Sequence, residues 1–314
     1  MELTRTVLSL WLLLILSSLV ATPIPAKEAV ATDQALGQAY LAHWFSIDSA
    51  EPINMEHTAL EADDIGERGE LKFTSDDGQP VNGQIAFPSD KVASGKLALI
   101  LHPMGSDQRF WWSEKNPLGT QHITDRLREQ GYTVISLDAR LHGKRSREGF
   151  GPRELLTRAH STEPRTYIET IIGSVRDYRI VLNWAANEFG ANEVLAMGYS
   201  MGAQMSLLLA SYEPRVNTVV AMVPPYVGSA SSPVAPRKHV QRINTAKVLW
   251  LAGSKDPHSN AKQTQATFDE IVSPNKTLTW FEAGHRLPPE FLDTTLAFLS
   301  AVNSLDSLNG APKL

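Results

Sequence analysis

The 314-residue sequence predicts an α/β fold, in which a mostly parallel sheet carries helices on both faces. Short apolar runs without polar alternation, such as residues 97–101, are typical of parallel strands that are buried on both faces. Segments with helical apolar spacing separate these runs, the longest over residues 166–189. Glycine and proline mark the ends of both kinds of segment, as Gly131 and Pro224 do.

The predicted elements follow one another in order from residue 69. A hairpin comes first, because residues 70–75 alternate polar and apolar side chains, a turn signal lies at 76–78, and residues 81–87 can form the return strand. The predicted parallel strands are 97–101, 132–137, 193–198, 218–223, 247–251 and 277–281. The predicted helices are 120–130, 166–189, 201–210, 260–271 and 290–301. Polar site residues are expected just after the strands, at their carboxyl ends.

The N-terminal segment differs from the rest of the chain. Residues 7–20 form an apolar run with a few serines and no charged residue, which is typical of the core of a signal peptide and is short for a helix across a ~30 Å hydrocarbon layer. We therefore predict a signal peptide over residues 1–26 and a secreted or periplasmic mature protein without a stable membrane span. An uncleaved membrane anchor through residues 7–20 is the alternative. The other predicted segments are an N-terminal arm (27–68), the α/β domain (69–305) and a C-terminal tail (306–314).

Composition argues against several classes of function. Hydrophobic residues make up 42% of the chain and charged residues 20%, which is enough apolar material for a packed core. The formal net charge of −5 leaves no basic excess for a phosphate backbone, so we predict no nucleic-acid partner. The chain has no cysteine, which excludes a disulfide framework, a thiolate metal site and a cysteine nucleophile. We also predict no metal site.

The strongest motif, Gly198-Tyr199-Ser200-Met201-Gly202, lies between a predicted strand and a predicted helix. A tight strand-to-helix turn exposes a serine hydroxyl above the sheet, and the flanking glycines keep the neighbouring backbone free of side-chain clashes. The motif therefore favours Ser200 as a nucleophile. A serine that only caps the helix is the alternative interpretation.

A serine hydroxyl needs a positioned base, and the chain order in this architecture is serine, acid, histidine. Asp256 follows a predicted strand, and His285 lies between the last strand and the closing helix. We predict His285 as the general base and then the acid, with Asp256 as the carboxylate that orients it. The rivals are Asp269, Asp293 and His258. The two rival aspartates fall within helical patterns, and His258 is too near Asp256 for the two roles to come from different loops.

The oxyanion that forms after nucleophilic attack needs backbone donors. The Met201 N–H lies directly after the serine, at a predicted helix N-terminus. The second donor is expected in the loop after the first parallel strand, which reads His102-Pro103-Met104. Since proline has no N–H, we predict the Met104 amide as that donor. His102, like the polar segment 138–146, is interpreted as structural rather than catalytic.

Together these motifs resemble the α/β-hydrolase superfamily, within its esterase and acyl-hydrolase branch, over residues 71–301. The matching segments read LALILHPMG, SLDARLHG, MGYSMG, LAGSKDP and FEAGH. The resemblance implies an eight-stranded sheet, a covalent acyl-enzyme and no cofactor. Pro103 and Leu141 stand where glycine is usual in the superfamily. Dienelactone-hydrolase relatives use a cysteine nucleophile and dehalogenases use an aspartate, so Ser200 argues against both chemistries.

The substrate pocket is predicted less sharply. Trp111, Trp112 and Tyr199 are the candidate lining residues, and packing within a lid is the alternative for the two tryptophans. Residues 225–242 are short for the cap domain that many members of the superfamily insert there, so we expect a small or absent cap. The arginine-rich segment 143–165 is a candidate lid.

The function predicted from these residues is hydrolysis of small-molecule carboxylic esters through Ser200, His285 and Asp256. A serine peptidase or a thioesterase would use the same groups, and the sequence leaves these alternatives open. A third alternative is an inactive binding protein on the same fold, although such a protein would be expected to lack one of the three residues.

Overall fold

The computed structural model describes residues 37–47, 53–58, 60–88, 95–229 and 231–309. The chain divides into two compact units, Met1–Tyr40 and Leu41–Leu314. Residues 37–40, the described part of the first unit, are helical, whereas the predicted signal peptide or anchor lies outside the described residues. The second unit carries the sheet and all the predicted site residues. Within the described ranges, no helix is long and apolar enough to cross a membrane.

The described residues contain ten strands in one sheet. Their bounds are β1 (Ile53–His57), β2 (Glu61–Asp63), β3 (Gly66–Thr74), β4 (Pro80–Pro88), β5 (Lys96–Leu101), β6 (Thr133–Leu137), β7 (Glu193–Tyr199), β8 (Val216–Met222), β9 (Lys247–Gly253) and β10 (Lys276–Phe281). The order across the sheet is β1-β3-β4-β6-β5-β7-β8-β9-β10, with β2 also paired to β3. From β6 to β10 in this order all pairs are parallel, and β4 joins β6 antiparallel.

The eight strands β3 to β10 are those that the sequence predicts, so the mostly parallel sheet is confirmed. Two further strands, β1 and β2, come from the segment predicted as an arm and pair antiparallel with β3. All three residues of β2 are exposed, so its sequence carries no alternation between buried and exposed positions. The sheet is therefore wider than the eight strands that the resemblance implies.

Six α-helices follow the hairpin in the described part of the chain. Their bounds are α1 (Gln121–Glu129), α2 (Pro152–Ala159), α3 (Arg165–Phe189), α4 (Met201–Tyr212), α5 (Ala261–Asp269) and α6 (Glu290–Asn309). Five of them are predicted from the sequence. The exception is α2, an eight-residue helix within the arginine-rich segment 143–165, which buries only Leu155 and Ala159. Because α6 extends to Asn309, the tail predicted from residue 306 begins within this helix.

The helices cover both faces of the sheet, and the central strands supply side chains to both. In β7, Val194 and Ala196 belong to the core cluster that includes residues of α3 and α4. Leu195 and Met197 point to the other face, into the cluster that includes residues of α1 and α6. This two-sided burial is the reason that β7 reads as an unbroken apolar run.

The carboxyl edge of the sheet is covered by an insertion after β6. Between β8 and β9 the described residues form short 3₁₀ turns and no α-helix, which confirms the small or absent cap at that point. Helix α2, from the candidate lid segment, lies at the edge instead. Its Pro152, Leu156 and Ala159 line a cavity that Ser200 also lines.

Candidate active site

Ser200 occupies a strained turn between β7 and α4. Its backbone has φ 55° and ψ −116°, in a region that residues other than glycine rarely adopt. The Ser200 N–H donates to the Met222 carbonyl oxygen at the end of β8, 2.8 Å away, which fixes the turn to the neighbouring strand. Strain of this kind persists only where the surrounding structure enforces it, and it is concentrated at functional sites.

The two glycines of the motif allow the backbone around Ser200 to pack closely. A Cβ atom on Gly198 would lie 2.2 Å from the Gly202 carbonyl carbon, and one on Gly202 would lie 2.0 Å from the Leu101 carbonyl oxygen. Both distances are far inside van der Waals contact, so neither position accepts a side chain. The approach at Gly202 also brings the end of β5 against the first turn of α4.

Three predicted side chains lie within hydrogen-bonding distance of one another. The Ser200 Oγ is 2.7 Å from the His285 Nε2, and the His285 Nδ1 is 2.8 Å from the Asp256 Oδ2. Asp256 follows β9 and His285 follows β10, so each group comes from the carboxyl end of a different strand. The Asp256 side chain is 3% exposed and that of His285 is 26% exposed, which leaves the imidazole reachable from solvent.

The rival residues lie elsewhere or make different contacts. Asp269 and Asp293 are exposed on α5 and α6. The backbone N–H of His258 donates to the Asp256 Oδ1 at 2.8 Å. The His258 ring lies edge-on to the His285 ring, with centroids 4.5 Å apart. Burial, followed by repulsion from His285, lowers the pKa of His258. The imidazole nitrogen that reaches the serine belongs to His285.

The two predicted oxyanion donors lie on either side of the close approach at Gly202. Met201 begins α4, so its N–H is among the first-turn amides that have no partner within the helix. The loop that carries Met104 starts at the end of β5, and the side chains of Met104 and Met201 line the same cavity. Their roles as donors stay predictions.

His102 ties this loop to the segment after β6, as its structural interpretation requires. Its ring is completely buried, the Nδ1–H donates to the Pro103 carbonyl oxygen at 2.8 Å, and the Nε2 accepts from the Ala139 N–H at 2.9 Å. Because both ring nitrogens are used in this way, the imidazole must be neutral. Burial is the main cause that lowers the pKa of His102 to about 3.

The polar segment 138–146 also has a structural role. The two oxygens of Asp138 accept from the backbone N–H groups of Gln108 and Lys144, at 2.9 and 2.8 Å. Burial raises the pKa of the Asp138 carboxyl group. Leu141, which stands where the superfamily usually has glycine, adopts φ 62°. The chain therefore keeps the left-handed turn without glycine, at a cost of roughly 1–2 kcal/mol.

Tyr199 has a role that its position in the sequence does not reveal. Its hydroxyl donates to the His285 carbonyl oxygen at 2.8 Å and accepts from the Leu287 N–H at 3.0 Å. Burial raises the pKa of this phenol to about 12, so it stays a neutral hydrogen-bonding group. The residue before the serine therefore fixes the loop that carries the histidine, and no spacing rule predicts this contact.

Two cavities adjoin the site, and His285 lies in the wall of both. The smaller one, about 580 Å³, is lined by Ser200 and Met201. The larger one, about 860 Å³, is lined by Trp112 and Tyr199. Met104 and His285 line both cavities. These volumes are typical of sites for small molecules.

The structure corrects one of the three predicted pocket residues. The Trp111 side chain is completely buried and belongs to the core cluster on the α1 side of the sheet. A ring without exposed surface cannot line an open cavity, so Trp111 is a packing residue. Trp112 and Tyr199, by contrast, lie in the wall of the larger cavity.

Within the described residues, no group of three or more histidine, aspartate or glutamate side chains is arranged to hold a metal ion.

The fold and this site together define an α/β-hydrolase. The model of the dienelactone hydrolase family matches residues 114–286, more than half of the chain, and the chain belongs to that family. This membership makes the chain a hydrolase that acts on ester bonds. At the strand-to-helix turn this chain has Ser200, whereas the sequence resemblance attributes a cysteine nucleophile to dienelactone-hydrolase relatives.

Solved structures of similar fold include several esterases. A cold-adapted esterase from an Arctic intertidal metagenomic library is 18% identical with a TM-score of 0.62, over 78% of this chain and 98% of that one. Acetyl xylan esterase 1 from Thermoanaerobacterium sp. JW/SL YS485 is 18% identical with a TM-score of 0.62, over 88% and 98%. An acetyl xylan esterase from Paenibacillus sp. R4 is 15% identical with a TM-score of 0.63, over 88% and 99%. None of the curated proteins matches the chain. At these identities the similarity establishes the fold.

Proposed function

We propose that this chain is a serine carboxylesterase in which Ser200 is the nucleophile, His285 the general base and acid, and Asp256 the group that orients His285. The observation that carries this proposal is the unbroken line of hydrogen bonds from the serine Oγ to the buried carboxylate, with distances of 2.7 and 2.8 Å. A serine hydroxyl becomes an effective nucleophile when an oriented imidazole accepts its proton.

The proposed reaction has two halves. In the first, the Ser200 Oγ bonds to the ester carbonyl carbon while its proton passes to the His285 Nε2, and the Met201 and Met104 N–H groups donate to the oxyanion. The carbon–oxygen bond to the alcohol then breaks, and the Nε2 proton goes to the departing alcohol oxygen. In the second half, the imidazole takes a proton from water as the water oxygen bonds to the acyl carbon. The bond between that carbon and the Ser200 Oγ then breaks, the Nε2 proton returns to the serine oxygen, and the acid is released.

Small esters are the proposed substrates. The cavities of about 580 and 860 Å³ suit molecules of modest size, and the structural neighbours named above are esterases, two of them acetyl xylan esterases. The small covering at α2 leaves the imidazole partly exposed, which also favours substrates that enter from solution.

Replacement of Asp256 by asparagine tests the assignment. We expect Asp256→Asn to fold normally while kcat for p-nitrophenyl acetate falls by about 10⁴, because asparagine holds the imidazole in the wrong tautomer. The matched control is Asp269→Asn, the same change on an exposed residue of α5, which should keep wild-type turnover. Turnover by Asp256→Asn at the wild-type rate would remove Asp256 from the proposed mechanism.

We further propose that residues 1–26 direct export and are removed from the mature protein. The support is the apolar run over residues 7–20, which is short for a membrane span. N-terminal sequencing of protein expressed at full length tests this. A mature chain that begins near Lys27 is expected, and retention of residues 7–20 in a membrane fraction would favour the anchor.

A further inference from the structure

The smaller cavity is the one that contains the reacting serine. Ser200 and Met201 line it, and neither of them lines the larger cavity. In the proposed reaction the Ser200 Oγ bonds to the acyl carbon, and the Met201 N–H donates to the oxygen on that carbon. The rest of the acyl group therefore starts at the wall of the smaller cavity and extends into it.

Helix α2 supplies an apolar face to this cavity. Pro152, Leu156 and Ala159 all line it. Because they are three or four positions apart in one helix, they lie along the same side of it. We call these three residues the α2 stripe. Pro225 and Val227, which follow β8, add further apolar wall to the same cavity.

Leu156 is the residue of the stripe that is most open to a ligand. It is one of four large apolar side chains that are exposed among the described residues, with 40% of its surface accessible. An exposed leucine is common on protein surfaces, but this one lies in the wall of the cavity that holds the nucleophile. Contact with an apolar group would remove its surface from water, which is favourable in proportion to the area buried.

The size of the cavity favours more than an acetyl group. Its volume is about 580 Å³, whereas an acetyl group has a single methyl beyond the acyl carbon. A methyl held at Ser200 leaves most of this space, and the apolar wall around it, in contact with water. A longer acyl chain fills more of the space and replaces that water along the wall.

The basic side chains of the same wall are a weaker source of binding energy. Arg153, His160 and His258 also line the cavity, and all three are exposed. The His160 Nδ1–H already donates to the Leu156 carbonyl oxygen at 2.9 Å. An ion pair with an exposed side chain contributes little, because water solvates both partners well when they are apart. An apolar end of the acyl chain is therefore favoured over a carboxylate.

We propose that the smaller cavity is the acyl site, that it selects apolar acyl groups longer than acetyl, such as butanoyl, and that Leu156 on α2 determines this selectivity. This inference rests on the proposed function and names the substrate class of the same site.

Three ethyl esters test the proposal, because they release the same alcohol and differ only in the acyl group. They are ethyl acetate, ethyl butyrate and monoethyl succinate, in which a carboxylate replaces the terminal methyl of butyrate. Hydrolysis is followed by titration of the acid released at constant pH. We expect kcat/KM for ethyl butyrate to exceed that for ethyl acetate by about tenfold, since each buried methylene contributes roughly three- to fourfold. It should exceed that for monoethyl succinate by about tenfold as well, because the carboxylate loses hydration in an apolar site.

The variant Leu156→Gln tests the role of the leucine. Glutamine has nearly the helix propensity of leucine and places a polar amide in the α2 stripe. The ratio of kcat/KM for ethyl butyrate to that for ethyl acetate should fall about threefold to fivefold. Val272→Thr makes an apolar residue polar at a position that is 60% exposed and lines neither cavity, and it should leave the ratio unchanged. Because the readout is a ratio, it does not depend on the fraction of active enzyme.

Several results would overturn the proposal. A kcat/KM for ethyl acetate that equals or exceeds the value for ethyl butyrate would refute selection of a longer acyl group. A preference for monoethyl succinate over ethyl butyrate would replace the apolar group by an anion and assign its recognition to Arg153. An unchanged ratio in Leu156→Gln would remove Leu156 from the site. Each of these results includes ester hydrolysis and so leaves the proposed function intact, whereas a folded wild type that hydrolyses none of the three esters would contradict both.

Discussion

The buried ring of His102 makes a quantitative prediction about stability and pH. In the native protein its Nε2 accepts from the Ala139 N–H, so protonation would place two donors against each other. Burial and repulsion from His142 lower the pKa of His102 to about 3, whereas the unfolded chain has a value near 6.5. Between these two values the unfolded chain binds a proton that the native chain does not bind. The free energy of unfolding is therefore highest above about pH 6.5 and falls as the pH drops toward 3.

The size of the effect follows from the two pKa values. Between pH 7 and pH 5, proton linkage at His102 lowers the free energy of unfolding by about 2 kcal/mol. The informative variant is His102→Gln, in which the amide oxygen can still accept from the Ala139 N–H but the side chain does not titrate. The difference in unfolding free energy between wild type and variant should shift by about 2 kcal/mol over this range, in the direction that favours the variant at pH 5.

Urea unfolding at pH 7, 6 and 5, followed by tryptophan fluorescence and circular dichroism, measures this difference. His57→Gln, which changes an exposed histidine of β1, is the matched control and should follow the wild type at every pH. The comparison isolates His102 from other buried histidines such as His239, whose pKa burial lowers to about 4. Parallel pH dependences for wild type and His102→Gln would show that the ring is not held neutral as described.

Two further predictions concern the packing around the nucleophile. Tyr199→Phe removes the hydroxyl that holds the loop of His285, so kcat/KM should fall about tenfold, while Tyr132→Phe, which loses a hydrogen-bonded phenol far from the site, should keep it. Steady-state kinetics with p-nitrophenyl butyrate decides this, and equal activity of the two variants would argue against a positioning role. Gly202→Ala should lower the free energy of unfolding by about 3 kcal/mol or prevent folding, because its Cβ would meet backbone at 2.0 Å. Gly228→Ala has no atom within 4 Å of its added Cβ, and thermal unfolding should place it near the wild type.

The central part of the fold could be predicted because its strands are buried on both faces. Runs such as residues 97–101 and 193–198 admit few other interpretations, and the structure places them side by side as β5 and β7. The edge strand β2 could not be predicted, since its three residues are all exposed and carry no buried face. Helix α2 escaped prediction for a different reason, since it is only eight residues long and lies in the arginine-rich segment that the sequence marks as a candidate lid.

The arrangement of the site could be predicted to the extent that it depends on strand ends. Ser200, Asp256 and His285 each follow a strand of the parallel part of the sheet, and the carboxyl ends of these strands meet at one edge. Contacts that depend on side-chain direction could not be predicted. Trp111 and Trp112 are adjacent, and only the geometry of the 3₁₀ turn at Gln108–Trp111 decides that the first enters the core.

Labelling with a fluorophosphonate probe tests the central claim most directly, because the probe reacts with a serine hydroxyl only when that hydroxyl is activated. Mass spectrometry of the intact protein and of its peptides would give the number and the position of the adducts. The account predicts one adduct per chain, located at Ser200, and none in Ser200→Ala. An unlabelled but well-folded wild type, or an adduct that persists in Ser200→Ala, would contradict it.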